Sequence, residues 1–271
     1  MNFDENNLPG TQGPHPFPSG AKSPVPEDIR VPWGWFDLLT FVLFSILGAV
    51  LLLLLFLVFA RGSELLGSGS ARINIVFQVV LDLLCLGYLA AQMRLRFRAP
   101  FWRTVGWRPI ETVRIPRGWM CLSLVAAGLV LDVVVTLASS ISPPKKALPI
   151  DAMFQDRLSA LLFMLVAVVA APLIEETVFR GYIYPVLARS WGMASGVLVT
   201  GMLFGGAHAP QLWKAWWQIA ALVFVGIVLT LVRATTRTVV ASFIVHTSYN
   251  SFQVIAILIG THGLRDLPSL H

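Results

Sequence analysis

The chain is patterned in long apolar runs separated by short polar breaks. Residues 36–60 form the first run, and residues 73–93 the second after a Gly/Ser-rich turn at 61–71. Residues 119–140 form the third. About 20 apolar residues suffice to cross a bilayer, so each predicts a membrane helix, the first with some tilt. After a break at Pro143-Pro144, a fourth run starts near Leu158 and continues toward Arg189. That is longer than one bilayer thickness, so its ends should project or tilt. A fifth, short run at 192–209 carries Gly192, Gly196, Gly201, Gly205 and Gly206, a spacing that lets neighbouring backbones approach closely. Trp213, Trp216 and Trp217 predict an interfacial turn, followed by a sixth span to about Val232 and a seventh over 239–260. The pattern predicts an all-α, polytopic bundle of about seven transmembrane helices, with no internal repeat.

Composition agrees. The chain is 56% hydrophobic and 13% charged, against about 25% charged in ordinary soluble domains. Residues 1–34 are polar and proline-rich, with Asp4, Glu5, Glu27 and Asp28 where a signal peptide would be basic, and they predict a disordered tail. Trp33 and Trp35 are expected at the membrane interface. Residues 261–271 form a C-terminal tail. Cys85 and Cys121 lie inside apolar runs and read as small buried hydrophobes.

The net charge of +6 matters through its placement. Arg94, Arg96, Arg98, Arg103, Arg108, Arg114 and Arg117 fall in one segment with Trp102, Trp107 and Trp119. Between two spans, this predicts contact with anionic lipid headgroups rather than nucleic acid. By the positive-inside rule the 94–117 loop is cytoplasmic, with the N-terminus on the same side and the C-terminus outside.

Against this background the stretch Ala171-Pro-Leu-Ile-Glu175-Glu176-Thr-Val-Phe-Arg180-Gly181 stands out. Three charges at the centre of a membrane helix would cost on the order of 8–10 kcal/mol unless paired and turned inward. Glu176 and Arg180 stand at i,i+4 in the favourable order for an ion pair. Glu175 lies about 100° away round the helix and lacks such a partner. Glu176 is therefore expected to be structural, and Glu175 a candidate general base. Asp82 and Asp132 sit singly in the second and third spans, where a lone aspartate ordinarily accepts hydrogen bonds from the bundle.

Two further motifs lie downstream. Phe204-Gly-Gly-Ala-His208 puts an aromatic ring and an imidazole one turn apart, and His246-Thr-Ser-Tyr-Asn250 puts His246 and Asn250 on one helix face. No GxSxG nucleophile motif and no HExxH zinc motif occurs. Two chemistries remain open at this point. His208, His246 and a glutamate are acceptable zinc ligands. Alternatively a carboxylate and an imidazole activate water without a metal, while His246 and Asn250 stabilise an oxyanion.

Glu175-Glu176-x-x-x-Arg180, Phe204-x-x-x-His208 and His246-x-x-x-Asn250, in this order on successive apolar helices, resemble the CPBP family. That family comprises the type II CAAX prenyl endopeptidases and their bacterial bacteriocin-immunity (Abi-type) relatives. Phe179-Arg180-Gly181 matches the usual continuation, and the resemblance covers roughly residues 155–255, with the core taken as 155–260. It implies a glutamic intramembrane endopeptidase with its active site among the last four helices and no cofactor. Glu175 would activate water with help from His208, and His246 and Asn250 would stabilise the oxyanion. Glu176 and Arg180 would hold the charge balance beside Phe204. The implied substrate is a membrane-associated protein or peptide, lipid-modified or not, and the implied location a bacterial inner membrane.

Two other classes compete. A non-catalytic scaffold or immunity protein would retain the same constellation for binding. A proton-coupled carrier would use Glu175, Glu176, Asp82 and Asp132 as a relay, and predicts inverted repeats. One depth conflict stands out. His208 falls near the outer end of the fifth span, while His246 lies about 13 Å in from the inner end of the seventh. A single site therefore requires tilted or broken helices.

Overall fold

The computed structural model describes residues 26–61, 70–112, 115–144 and 147–267. Seven apolar helices carry the fold: α1 (Trp35–Arg61), α2 (Ser70–Ala91), α3 (Arg117–Ile141), α4 (Arg157–Trp191), α5 (Met193–Ala207), α6 (Trp216–Thr236) and α7 (Val239–Gly260). Six are long and apolar enough to cross a membrane, and α5 is a shorter apolar helix. The protein is an integral, multi-pass helical bundle, and among the described residues no strand occurs. The expected turn at 61–71 lies largely outside the described residues, as do the first 25 positions of the tail, residues 113–114 of the arginine-rich loop and residues 268–271.

α1 packs chiefly on α2 and turns Leu43, Leu47, Leu51 and Leu54 outward, as a helix against hydrocarbon does. The two largest apolar clusters hold most of the rest. Trp33, Phe41, Leu89, Met93, Val105 and Tyr182 join α1 and α2 to α4. Leu131, Phe204, Val225, Leu229, Val245 and Tyr249 join α3, α5, α6 and α7. α5 and α6 meet so closely that a Cβ on Gly205 would stand 2.6 Å from the backbone nitrogen of Val223.

Three expectations change on contact with the structure. Residues 26–34 are packed rather than tail-like. Arg233 Nη1 bonds Asp28 Oδ2 at 3.0 Å, and Arg189 donates to the carbonyls of Val31 and Trp33, both at 2.8 Å. Trp33 is a core residue, 1% exposed, stacked on Tyr182 and donating to its carbonyl, whereas Trp35 stays at the surface. Cys121 is exposed on α3, and Cys85 alone of the two cysteines is buried.

The arginine-rich segment, expected to lie on lipid headgroups, packs in part against the protein itself. Past the end of α2 it folds through the short helix Phe101–Thr104 and back under the bundle. There Gly106 O accepts from Val239 N at 2.9 Å, Thr238 Oγ1 donates to Arg108 O, and Trp107 Nε1 donates to Thr177 Oγ1 at 2.9 Å. Arg96 pairs with Asp37 at 2.9 Å. The segment thereby anchors the starts of α1 and α7 to the middle of α4.

Candidate active site

α4 supplies the carboxylates, and it is not a regular helix. Two π-helical stretches, Val166–Ala170 and Glu176–Ile183, flank the short α-helical piece Ala171–Glu175. Pro172 explains the first. It has no N–H and cannot bond the carbonyls of the preceding turn. Those carbonyls find partners on α7: Asn250 Nδ2 donates to Ala167 O at 2.7 Å, and Thr247 Oγ1 donates to Val168 O. Inside a membrane such carbonyls must be satisfied by protein. The clamp from α7 thus satisfies the widened turn of α4, one helical turn before Glu175.

The depth conflict resolves through this irregular helix and the shortness of α5. Glu175 and His208 lie at nearly equal distances along the chain from the turn at Gly192, where φ is 87°. About 25 Å of helix leads out and the same leads back, so the two side chains return to one level. α4 also runs past the start of α7: Tyr184, not Trp191, stands beside Arg233, in the last turn of α6 just before α7 begins. His246, two turns into α7, consequently meets Glu176.

Around this point all seven residues singled out by the motifs come together. His246 Nδ1 is 2.9 Å from Glu176 Oε1, and Arg180 Nη1 is 2.9 Å from the same oxygen. Arg180 Nη2 reaches Gly226 O at 2.9 Å, and its guanidinium carbon lies 4.4 Å from the Phe204 ring centroid. Glu176 and Arg180 are 0% exposed. They form a closed structural pair behind the site. His208, just beyond the end of α5, places Nδ1 2.9 Å from Phe204 O.

Carboxylates and carbonyls only accept, so both histidines carry the Nδ1 proton toward Glu176 and Phe204. Both Nε2 atoms then face Glu175. His208 Nε2 is 3.7 Å from Glu175 Oε1, and His246 Nε2 is 3.7 Å from Glu175 Oε2. Glu175 is about a quarter exposed on its side chain, and it opens into a cavity of about 600 Å³. Phe204, His208, His246 and Asn250 line that cavity with it. Asp82 lines it too, whereas Asp132 does not. Among the described residues, no three His, Cys, Asp or Glu side chains are grouped to hold a metal ion.

Residues 157–252 match the family model for type II CAAX prenyl endopeptidase Rce1-like proteins. The match spans about a third of the chain and falls where the CPBP motifs fall. No curated protein and no solved structure matches the chain. The Rce1-like segment starts at the first residue of α4 and ends two residues after Asn250, so it contains every motif residue. It excludes α2, with Asp82, and the loop that brings Trp107 to Thr177. Sequence reasoning missed Thr247 and Trp107. Thr247 had a signal in Pro172, which announces orphan carbonyls in an apolar helix. Trp107 had none beyond its place among arginines.

Proposed function

We propose that the protein is an intramembrane endopeptidase of the CAAX-protease type, in which Glu175 activates a water molecule. The observation that carries this reading is the placement of Glu175 between two imidazole Nε2 atoms, each 3.7 Å away. Such a gap is longer than a hydrogen bond and suits one bridging water. Because Nδ1 of each ring is already engaged, both rings are fixed in orientation. Glu175 takes the water proton as the oxygen attacks the peptide carbonyl, with His208 Nε2 steering the same water. The carbonyl carbon becomes tetrahedral and its oxygen an anion.

His246 and Asn250 meet that oxyanion. Asn250 has a second Nδ2 hydrogen besides the one on Ala167 O. His246 donates from Nε2 only when both ring nitrogens carry protons. Ionised Glu175, Glu176 and Arg180 sum with an imidazolium at His246 to no net charge, which suits a buried site. Collapse of the intermediate breaks the C–N bond, and the proton held by Glu175 passes to the leaving amine.

Cleavage of a panel of fluorogenic peptides, prenylated and unprenylated, tests this reading in liposomes. Wild type cleaves, His208→Ala is slowed by about 100-fold or more, and a chelator changes neither. Loss on chelation with recovery on adding zinc would assign the histidines as metal ligands instead. A folded wild type that binds these peptides without cleaving any favours the non-catalytic scaffold reading.

A further inference from the structure

The cavity has a wall that lies outside the Rce1-like segment. Asn74, Gln78 and Asp82 recur at four-residue intervals on α2 and all line the cavity opposite α4. A four-residue repeat puts them on one face of the helix. Gln78 Nε2 donates to Asp82 Oδ1 at 2.9 Å, which holds the carboxylate in place and leaves its other oxygen for the cavity. Asp82 and Glu175 line the same cavity, so the two carboxylates share one enclosed space.

The acidic and imidazole side chains facing this space are Asp82, Glu175, His208 and His246, with the phenol of Tyr249 beside them. Among the described lining residues none is lysine or arginine. Arg180 stands behind the site, paired with Glu176 and wholly buried. Glu175 has its own surroundings, the two imidazoles. Asp82 has only a neutral amide. Two carboxylates in a low-dielectric cleft focus a negative potential on whatever enters, and an unpaired carboxylate there is costly until a cation meets it.

We infer that Asp82 is a substrate-binding residue that selects peptides carrying a lysine or arginine side chain near the bond presented to Glu175. The inference rests on the endopeptidase reading for what happens at Glu175, but the selection itself is a property of binding. Gln78 is its positioning partner, and Asn74 continues the polar wall toward the end of the bundle where α2 begins.

The test uses the full chain in detergent micelles. Fluorescent neutral peptides in which a single lysine is walked along the sequence are compared with the same peptides carrying glutamine. Wild type binds the best-placed lysine peptide about tenfold or more tighter than its glutamine twin. Asp82→Asn, nearly isosteric and still able to accept from Gln78, abolishes that preference, so that the lysine and glutamine peptides bind it alike. Equal binding of lysine and glutamine peptides by wild type overturns the inference, as does a preference that survives in Asp82→Asn. A lysine preference without cleavage sustains Asp82 as a selector and sinks the endopeptidase reading. Where peptides are cleaved, loss of kcat in Asp82→Asn for every peptide alike, with KM unmoved, would make Asp82 part of the chemistry and overturn its role in selection.

Discussion

His246 Nδ1 and Glu176 Oε1 stand 2.9 Å apart in the interior of the bundle, and that same oxygen accepts from Arg180. One carboxylate thus ties the imidazole of α7 to the guanidinium of α4. Glu176→Gln keeps an oxygen for His246 but leaves the Arg180 charge unpaired. Breaking a buried pair from one side costs about 3–5 kcal/mol, read as a fall in the unfolding midpoint in detergent. The double variant E176Q/R180M regains part of that stability and does not regain cleavage. Full stability in Glu176→Gln would show that the pair does not hold the bundle.

The clamp between α7 and the widened turn of α4 gives a second prediction. Thr247→Val preserves shape and removes the donor to Val168 O. A buried carbonyl left without its partner costs about 1–3 kcal/mol. Hydrogen exchange should quicken over residues 166–173 and stay unchanged in α1. Asn250→Ala should do the same through Ala167 O and in addition lower kcat. Unchanged exchange in both variants would remove the clamp from the account.

Much of this arrangement was legible in the residues. Apolar run lengths marked the seven helices because, in hydrocarbon, a run of about 20 apolar residues has few other fates. The i,i+4 spacing of Glu176 and Arg180 foretold their ion pair. What pattern did not show depended on tertiary partners. Trp33 reads as an interfacial anchor until Tyr182 is placed beneath it. Cys121 reads as buried because a lipid-facing helix face and a core face are equally apolar. The common depth of Glu175, His208 and His246 needed the irregular course of α4, and its first π-helical turn follows from Pro172 only once α7 supplies donors for the freed carbonyls.

Glycine spacing on α5 is a third point of test. A Cβ on Gly205 would stand 2.4 Å from Val223 Cγ2, while one on Gly206 meets nothing within 4 Å. Gly205→Ala should destabilise by about 1–3 kcal/mol through overpacking and, by pushing α5 from α6, slow cleavage through His208. Gly206→Ala should be silent in both thermal unfolding and cleavage. Equal effects at the two positions would count against the close α5–α6 contact.

Asp156 caps the start of α4. Its carboxylate accepts from Ser159 Oγ and from the backbone nitrogens of Ser159 and Leu158. The Ser159 hydroxyl, followed by the Ser159 amide, holds it below the usual carboxylate range. A lowered folded value means the cap stabilises above the ordinary carboxylate range and is lost as pH falls through the folded value. Wild type should therefore lose stability on acidification more steeply than Asp156→Asn. Parallel pH profiles of the two would contradict the assignment.

The central claim is that the Glu175 carboxylate performs the chemistry between His208 and His246. Its most direct measurement is the cleavage rate of Glu175→Gln against wild type in proteoliposomes, on a peptide that wild type turns over, with equal thermal unfolding confirmed for both. The account predicts a loss of about 100-fold or more with binding retained. A variant that keeps its rate within a few-fold of wild type would contradict it.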